Sequence, residues 1–197
     1  MKLLIVDCCI REEKSATRKL YESYLKSLNR TDWEIEKIYL MHENILPLTN
    51  NDIKLRDKLL QSSNTEHEIF KYAKQFAAAD EIIIAAPYWD LSFPSLLRVY
   101  FERISVVGIT FDYEGTKSIG CCKAGKIIYF STCGGFINGE HLGVEYVKQL
   151  AKVFGINNVE KYIVEGLDIG TTKREKISGY FQSFDLKSQS EKLFYSV

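Results

Sequence analysis

Residues 82–86, Ile-Ile-Ile-Ala-Ala, form an unbroken apolar run, rich in β-branched side chains and halted at once by Pro87. A run this short and this continuous suits a buried strand in a parallel sheet. Helical spacing flanks it on both sides. Ile69, Tyr72, Ala73, Phe76 and Ala77 precede it, and Leu96, Leu97, Tyr100, Phe101 and Ile104 follow. Strand and helix must therefore alternate through this part of the chain, with helices laid across the sheet faces.

The same alternation runs from end to end. Leu3 to Val6 reads as a first strand, followed by the polar loop Asp7 to Lys14 and a helix carrying Leu20, Tyr21, Tyr24, Leu25 and Leu28. Residues 33–40 alternate as a half-exposed strand near a sheet edge does. Residues 41–49 show no period, and Asn50 or Asn51 is placed to cap a short helix with Ile53, Leu55, Leu59 and Leu60. Thr65 and Glu68 have the spacing of a capping box ahead of the next helix. Pro94 suits the first turn of the helix after the central strand. Residues 109–120, ITFDYEGTKSIG, predict a hairpin or loop; residues 126–131 predict a strand, 140–154 a helix stopped by Gly155, and 158–164 a last strand. Ile177, Tyr180, Phe181 and Phe184 mark a closing helix. Five strands separated by helices imply an α/β fold: a three-layer, doubly wound parallel sheet with right-handed crossovers.

The length of 197 residues accommodates one domain, spanning 1–197, with a sizeable core. The 26 basic and 26 acidic side chains cancel, which argues against a broad nucleic-acid surface or a polybasic membrane contact. The N-terminus lacks the plan of a signal peptide, and no apolar run approaches the roughly 20 residues that span a bilayer. Cys8-Cys9, Cys121-Cys122 and Cys133 offer no metal spacing and suit reduced thiols in a cytoplasmic protein. His42, His67 and His141 lie far apart in sequence and read as surface or capping residues.

Three strand-end loops have unusual composition, and in a flavodoxin-like strand order all three meet at the switch point where ligands bind. The first offers Arg11, Lys14, Ser15 and Thr17 at a helix N-terminus, a setting that favours a phosphate; a capped helix with solvated charges is the alternative. It lacks both the G-x-G-x-x-G turn and the P-loop pattern, so a monophosphate fits better than a dinucleotide. The second, Pro87-Tyr88-Trp89-Asp90-Leu91, sets aromatic side chains where a planar, partly apolar ligand such as a flavin would lie, unless they plug the core. The third, Ser131-Thr132-Cys133-Gly134-Gly135-Phe136, brings two glycines that permit close backbone approach, or forms an ordinary tight turn.

The stretch APYWDLSFPSLLRVYFERISVVGITFDY, followed by GKIIYFSTCGGF, resembles the FMN-dependent NAD(P)H oxidoreductases of the azoreductase and quinone reductase group, which are flavodoxin-like. The resemblance implies a single FMN-binding domain, with NADH or NADPH as electron donor and ping-pong reduction of quinones, azo compounds or similar acceptors. It assigns the FMN phosphate to Ser15 and Thr17, with Cys9 and Arg11 nearby. It assigns the isoalloxazine to Pro87, Tyr88, Trp89, Asp90 and Leu91. Ser131, Thr132, Cys133, Gly134, Gly135 and Phe136 would hold the ring edge and ribityl chain, and Phe111 and Tyr113 would lie on the substrate side. It further implies a homodimer with pockets at the interface. The chain departs from the family at Cys8-Cys9, where serines are common, and at Cys133.

Two other activities compete. Cys8, Lys14 and Ser15 approach the C-x5-R-[ST] loop of cysteine phosphatases, but lysine cannot hold a phosphate bidentately as arginine does, and Glu12 and Glu13 would repel a dianion. The second is a non-enzymatic flavin carrier or redox-sensing module. Fast bleaching of bound flavin by NADH or NADPH separates the reductase from it.

Overall fold

The structure, a computed structural model, describes residues 1–28, 32–170 and 179. The elements run β1 (Lys2–Asp7), α1 (Ala16–Ser27), β2 (Glu34–Tyr39), α2 (Asn50–Gln61), α3 (Lys71–Ala78), β3 (Glu81–Ala85), α4 (Ser95–Ile104), β4 (Phe111–Glu114), β5 (Lys117–Gly120), β6 (Lys126–Thr132), α5 (Leu142–Val153) and β7 (Asn158–Val164). The closing helix expected around Ile177, Tyr180, Phe181 and Phe184 lies outside the described residues.

Five strands form one parallel sheet in the order β2-β1-β3-β6-β7. Each strand sends alternate side chains to opposite faces. Leu4, Val6, Ile82, Ile84, Ile127 and Tyr129 meet α3, α4 and α5 on one face. Leu3, Ile5, Ile83, Ala85, Ile128 and Phe130 meet Leu20, Tyr21 and Tyr24 of α1 on the other. All five residues of β3 are buried, as its continuous apolar run requires. On β2 only Ile38 is buried, which fits an edge strand.

In register, Asp7 stands beside Ala85 and Ala85 beside Phe130, so β1 and β3 end level with one another, and β6 continues past them to Thr132. Backbone bonds continue past the strands: the Cys8 N–H donates to Ala85 O, Ala86 N–H to Phe130 O, and Tyr88 N–H to Thr132 O. The three loops leave the sheet already tied together.

Two helix starts differ from expectation. α2 is capped by Thr49, whose hydroxyl accepts from the Asp52 N–H while the Asp52 carboxylate accepts from the Thr49 N–H. The capping box therefore begins one residue before Asn50. Thr65 and Glu68 form no box. His67 takes the capping place instead, its Nδ1 accepting from the Ile69 N–H, because the turn from Ser63 (φ 54°) sets Thr65 too early. The hairpin β4–β5 forms as expected and packs on the end of α5, where Phe111 meets Phe154.

Gly120 and Gly155 lie back to back where this hairpin meets α5, and a Cβ at Gly120 would strike the Gly155 backbone. Gly120→Ala is expected to destabilise the fold by about 1–3 kcal/mol, the usual cost of overpacking. Gly125→Ala, at a position with open space around it, is the control. Urea unfolding of the two variants checks this.

Candidate active site at the ends of β1, β3 and β6

The chain leaves β1 through a tight loop rather than a glycine turn. A single 3-10 turn, Glu12–Lys14, is closed by Glu12 N–H to Cys9 O and Lys14 N–H to Arg11 O, with Glu12 itself at φ 48°. Ser15 then caps α1, its Oγ accepting from the Arg18 N–H at 3.3 Å. The first N–H groups of a helix have no partner within it, and the helix dipole adds partial positive charge there. Arg11 and Lys14 stand beside this helix start without an ion-pair partner among the described residues.

A cavity opens at this point. Its walls include Arg11, Lys14, Ser15 and Ala16 from the first loop, Pro87, Tyr88 and Trp89 from the second, and Thr132, Cys133 and Gly134 from the third. Nine of the residues singled out from the sequence thus come together: Arg11, Lys14, Ser15, Pro87, Tyr88, Trp89, Thr132, Cys133 and Gly134. Leu167 and Asp168 complete the wall. They arrive on the loop after β7, which is fastened to the glycine loop by Gly166 N–H to Gly135 O, Leu167 N–H to Cys133 O and Asp168 N–H to Gly134 O. A Cβ on Gly134 would meet the Asp168 carboxylate. A side chain there would push the acid out of place.

The other residues expected at the site sit outside the cavity wall. Cys9 is fully buried, its thiol pushed up by burial. Thr17 is also buried; its hydroxyl bonds the Thr132 hydroxyl at 2.7 Å and ties α1 to the end of β6. Asp90 (φ 47°) and Leu91 (φ 66°) form a left-handed turn closed by Ser92 N–H to Trp89 O, and both are exposed. Ser131 is buried beneath His141, whose Nε2 lies 3.3 Å from its Oγ. Gly135 has open space around it, and Phe136 is exposed beyond it. Phe111 and Tyr113 lie on the hairpin, remote from the cavity lining, with Tyr113 exposed.

His141 is the residue whose place is most informative. Its Nδ1 accepts from the Val144 N–H and caps α5, while its ring meets Tyr88 edge-on with centroids 4.6 Å apart. It thereby fixes the aromatic loop against the third strand end. Cys8 has a different fate from the phosphatase reading: it is fully buried among core residues, and its thiol is pushed up to about 12 by burial. A neutral, enclosed thiol is no nucleophile. Among the described residues no cluster of His, Cys, Asp or Glu could hold a metal ion, and no helix is long and apolar enough to cross a membrane.

A helix start flanked by Arg11 and Lys14 thus stands beside an aromatic wall, at the point where the strand order of an open α/β sheet reverses, the place where such sheets bind ligands. Residues 1–186 match the flavodoxin-like fold family, and the chain belongs to it. It is 34% identical over 182 residues to an FMN-dependent NADH:quinone oxidoreductase 2 of Clostridium perfringens, covering 89% of this chain and 92% of that one. Among solved structures, an azoreductase from Bacillus anthracis superposes with a TM-score of 0.80 at 24% identity, covering 96% of this chain and 99% of the other. An FMN-dependent NADH-azoreductase of the same organism, solved in complex with FMN, superposes at 0.75 with 18% identity, covering 96% and 99%. The last two establish the fold.

Two outcomes are expected of these contacts. Thr17→Val and Thr132→Val should each cost about 1–3 kcal/mol, because each leaves the other hydroxyl buried without its partner, and the double variant should cost less than the sum. A double-mutant cycle in urea measures the difference. His141 titrates below its ordinary value because burial disfavours the imidazolium. The unfolded chain therefore takes up the proton first as pH falls. Stability should decline as pH drops below about 6.5, the unfolded value, and level off once the folded form also protonates. Thermal unfolding of wild type and His141→Asn across that window should show a steeper decline in wild type than in the variant.

Proposed function

We propose that this chain is an FMN-dependent NAD(P)H oxidoreductase that reduces quinones, azo compounds or similar electron-poor acceptors by a ping-pong reaction. One observation carries this reading: the cavity joins an anion-binding helix start to an aromatic wall, at a strand-end switch point. The kinship with an FMN-dependent NADH:quinone oxidoreductase at 34% identity supports it, and that relative's name makes NADH the donor to test first.

The residues fit the cofactor. The N-terminus of α1 with Ser15, Arg11 and Lys14 would take the phosphate. Pro87, Tyr88 and Trp89 would face the isoalloxazine, and Thr132, Cys133 and Gly134 would lie along the ribityl chain and ring edge. When bound, FMN supplies the hydride chemistry between nicotinamide and acceptor. The protein's task is then to hold and shield. Backbone bonds on Cys133 and Tyr88 leave these loops little freedom, and His141 keeps the Tyr88 ring in place. Trp89, 42% exposed, offers an apolar surface at the mouth of the cavity.

In this reading residues 1–197 make one FMN-binding domain, Asp90, Leu91, Gly135 and Phe136 flank the open side, and Cys9 and Thr17 support the phosphate loop from within. The working unit is a homodimer. Support comes from apolar side chains left exposed around α2 and α4, namely Leu46, Ile53, Leu55 and Val107. Phe111 and Tyr113 would act on the substrate side of the second copy's site, since they line no part of their own. Five free thiols suit a cytoplasmic setting.

The purified protein reconstituted with FMN should show a bound-flavin visible spectrum. Anaerobic NADH or NADPH should bleach it, and added quinone should restore it. Failure to retain FMN on gel filtration, or bound FMN that no nicotinamide bleaches, contradicts the reading. Trp89→Ala should weaken FMN binding and leave the far-UV spectrum unchanged.

A further inference from the structure

Below the first loop lies a charged cluster whose own side chains line no part of the cavity. Asp7, the last residue of β1, and Arg18, in the first turn of α1, are 1% and 3% exposed. Arg18 Nε donates to Asp7 Oδ2 at 2.7 Å, and the Tyr21 hydroxyl donates to the same oxygen at 2.9 Å. Asp7 Oδ1 accepts from the Cys9 N–H at 2.8 Å, at the start of the loop. Arg18 Nη1 reaches Glu13 Oε1 at 3.1 Å, in the middle of the loop. The Arg18 N–H bonds Ser15 Oγ, at its end. The Tyr39 ring, 4.9 Å from the guanidinium carbon, covers the remaining side.

Removing two charges from water is costly, and an apolar pair of like size often stabilises a fold more. A buried pair of this kind calls for a reason beyond stability. Here the two residues touch the loop at its start, middle and end, and the loop contains a residue in a strained conformation, Glu12 at φ 48°. A loop lacking glycine in that position needs external support to keep its shape.

We infer that the Asp7–Arg18 pair positions the first loop for phosphate, setting where Arg11, Lys14, Ser15 and the N–H groups of α1 point. This rests on the FMN reading above. Neither residue lines the cavity, so both act through the loop. The pair should matter for the phosphate of the ligand and not for its ring.

Comparison of FMN with riboflavin, which lacks the phosphate, isolates that contribution. Arg18→Lys keeps the charge opposite Asp7 but loses the planar fork that reaches Asp7 and Glu13 together. It is expected to weaken FMN binding by about tenfold or more, equivalent to about 1.4 kcal/mol, while the riboflavin dissociation constant stays within about twofold, in isothermal titration. Should that variant not fold by circular dichroism, Asp7→Asn with Arg18→Gln removes both charges without leaving either one buried alone, and the same selective loss is expected. A folded variant whose FMN and riboflavin affinities fall in parallel, or do not change, overturns the inference. Wild type that binds riboflavin as tightly as FMN overturns the phosphate-site reading itself. The two failures are therefore distinguishable.

Discussion

The structure depends on the burial of β3. Every residue of this strand is enclosed, with β1 and β6 on its edges and helices on both faces, so its backbone polar groups have only the neighbouring strands as partners. That requirement sets the register on either side. Because β1 and β6 are held in register with β3, the chain leaves all three strands at the same end of the sheet, and the loops arrive as a group. The bonds from Cys8 to Ala85, Ala86 to Phe130 and Tyr88 to Thr132 extend the ladder into the loops. A rigid sheet end supplies what a functional loop needs, a fixed place from which to project.

The electrostatics of the cavity follow from this arrangement. Arg11, Lys14 and the start of α1 bring positive potential, and Asp168 brings one carboxylate from the far wall. Glu12 is engaged by His42 at 2.7 Å and Glu13 by Arg18 at 3.1 Å, so the two acids that the sequence places in the first loop each have a partner that lines no part of the cavity. Arg11 and Lys14 thus set positive charge at the cavity wall, on a chain whose formal net charge is zero.

Much of this was legible in the sequence. Apolar runs marked the strands β1, β3 and β6 and alternation marked β2, and the residues directly after those three runs marked the loops, because a parallel sheet leaves little choice about which ends meet. Other features depended on three-dimensional facts that no local pattern carries. Ser15 and Thr17 both present hydroxyls at a helix start, but two positions turn about 200° around a helix, so Ser15 reaches the cap while Thr17 turns inward to Thr132. Leu167 and Asp168 follow a strand with no ligand signature, and only the pairing of β7 with β6 brings them to the wall. The helix cap at His67 replaced the expected pair Thr65 and Glu68 through a single turn at Ser63. Asp7 opens a polar loop in the sequence and Arg18 carries no local mark; only the fold shows them buried together.

The central claim is that three strand-end loops close on one ligand, and backbone hydrogen exchange followed by mass spectrometry, with and without FMN, tests it most directly. Slowed exchange is expected in residues 9–17, 87–91 and 131–136 together, and in the loop 165–168 bonded to the third of them. Protection that instead appeared along the groove between α2 and α4, around Ile53, Arg56, Phe101 and Val107, with the three loops unchanged, would contradict the account.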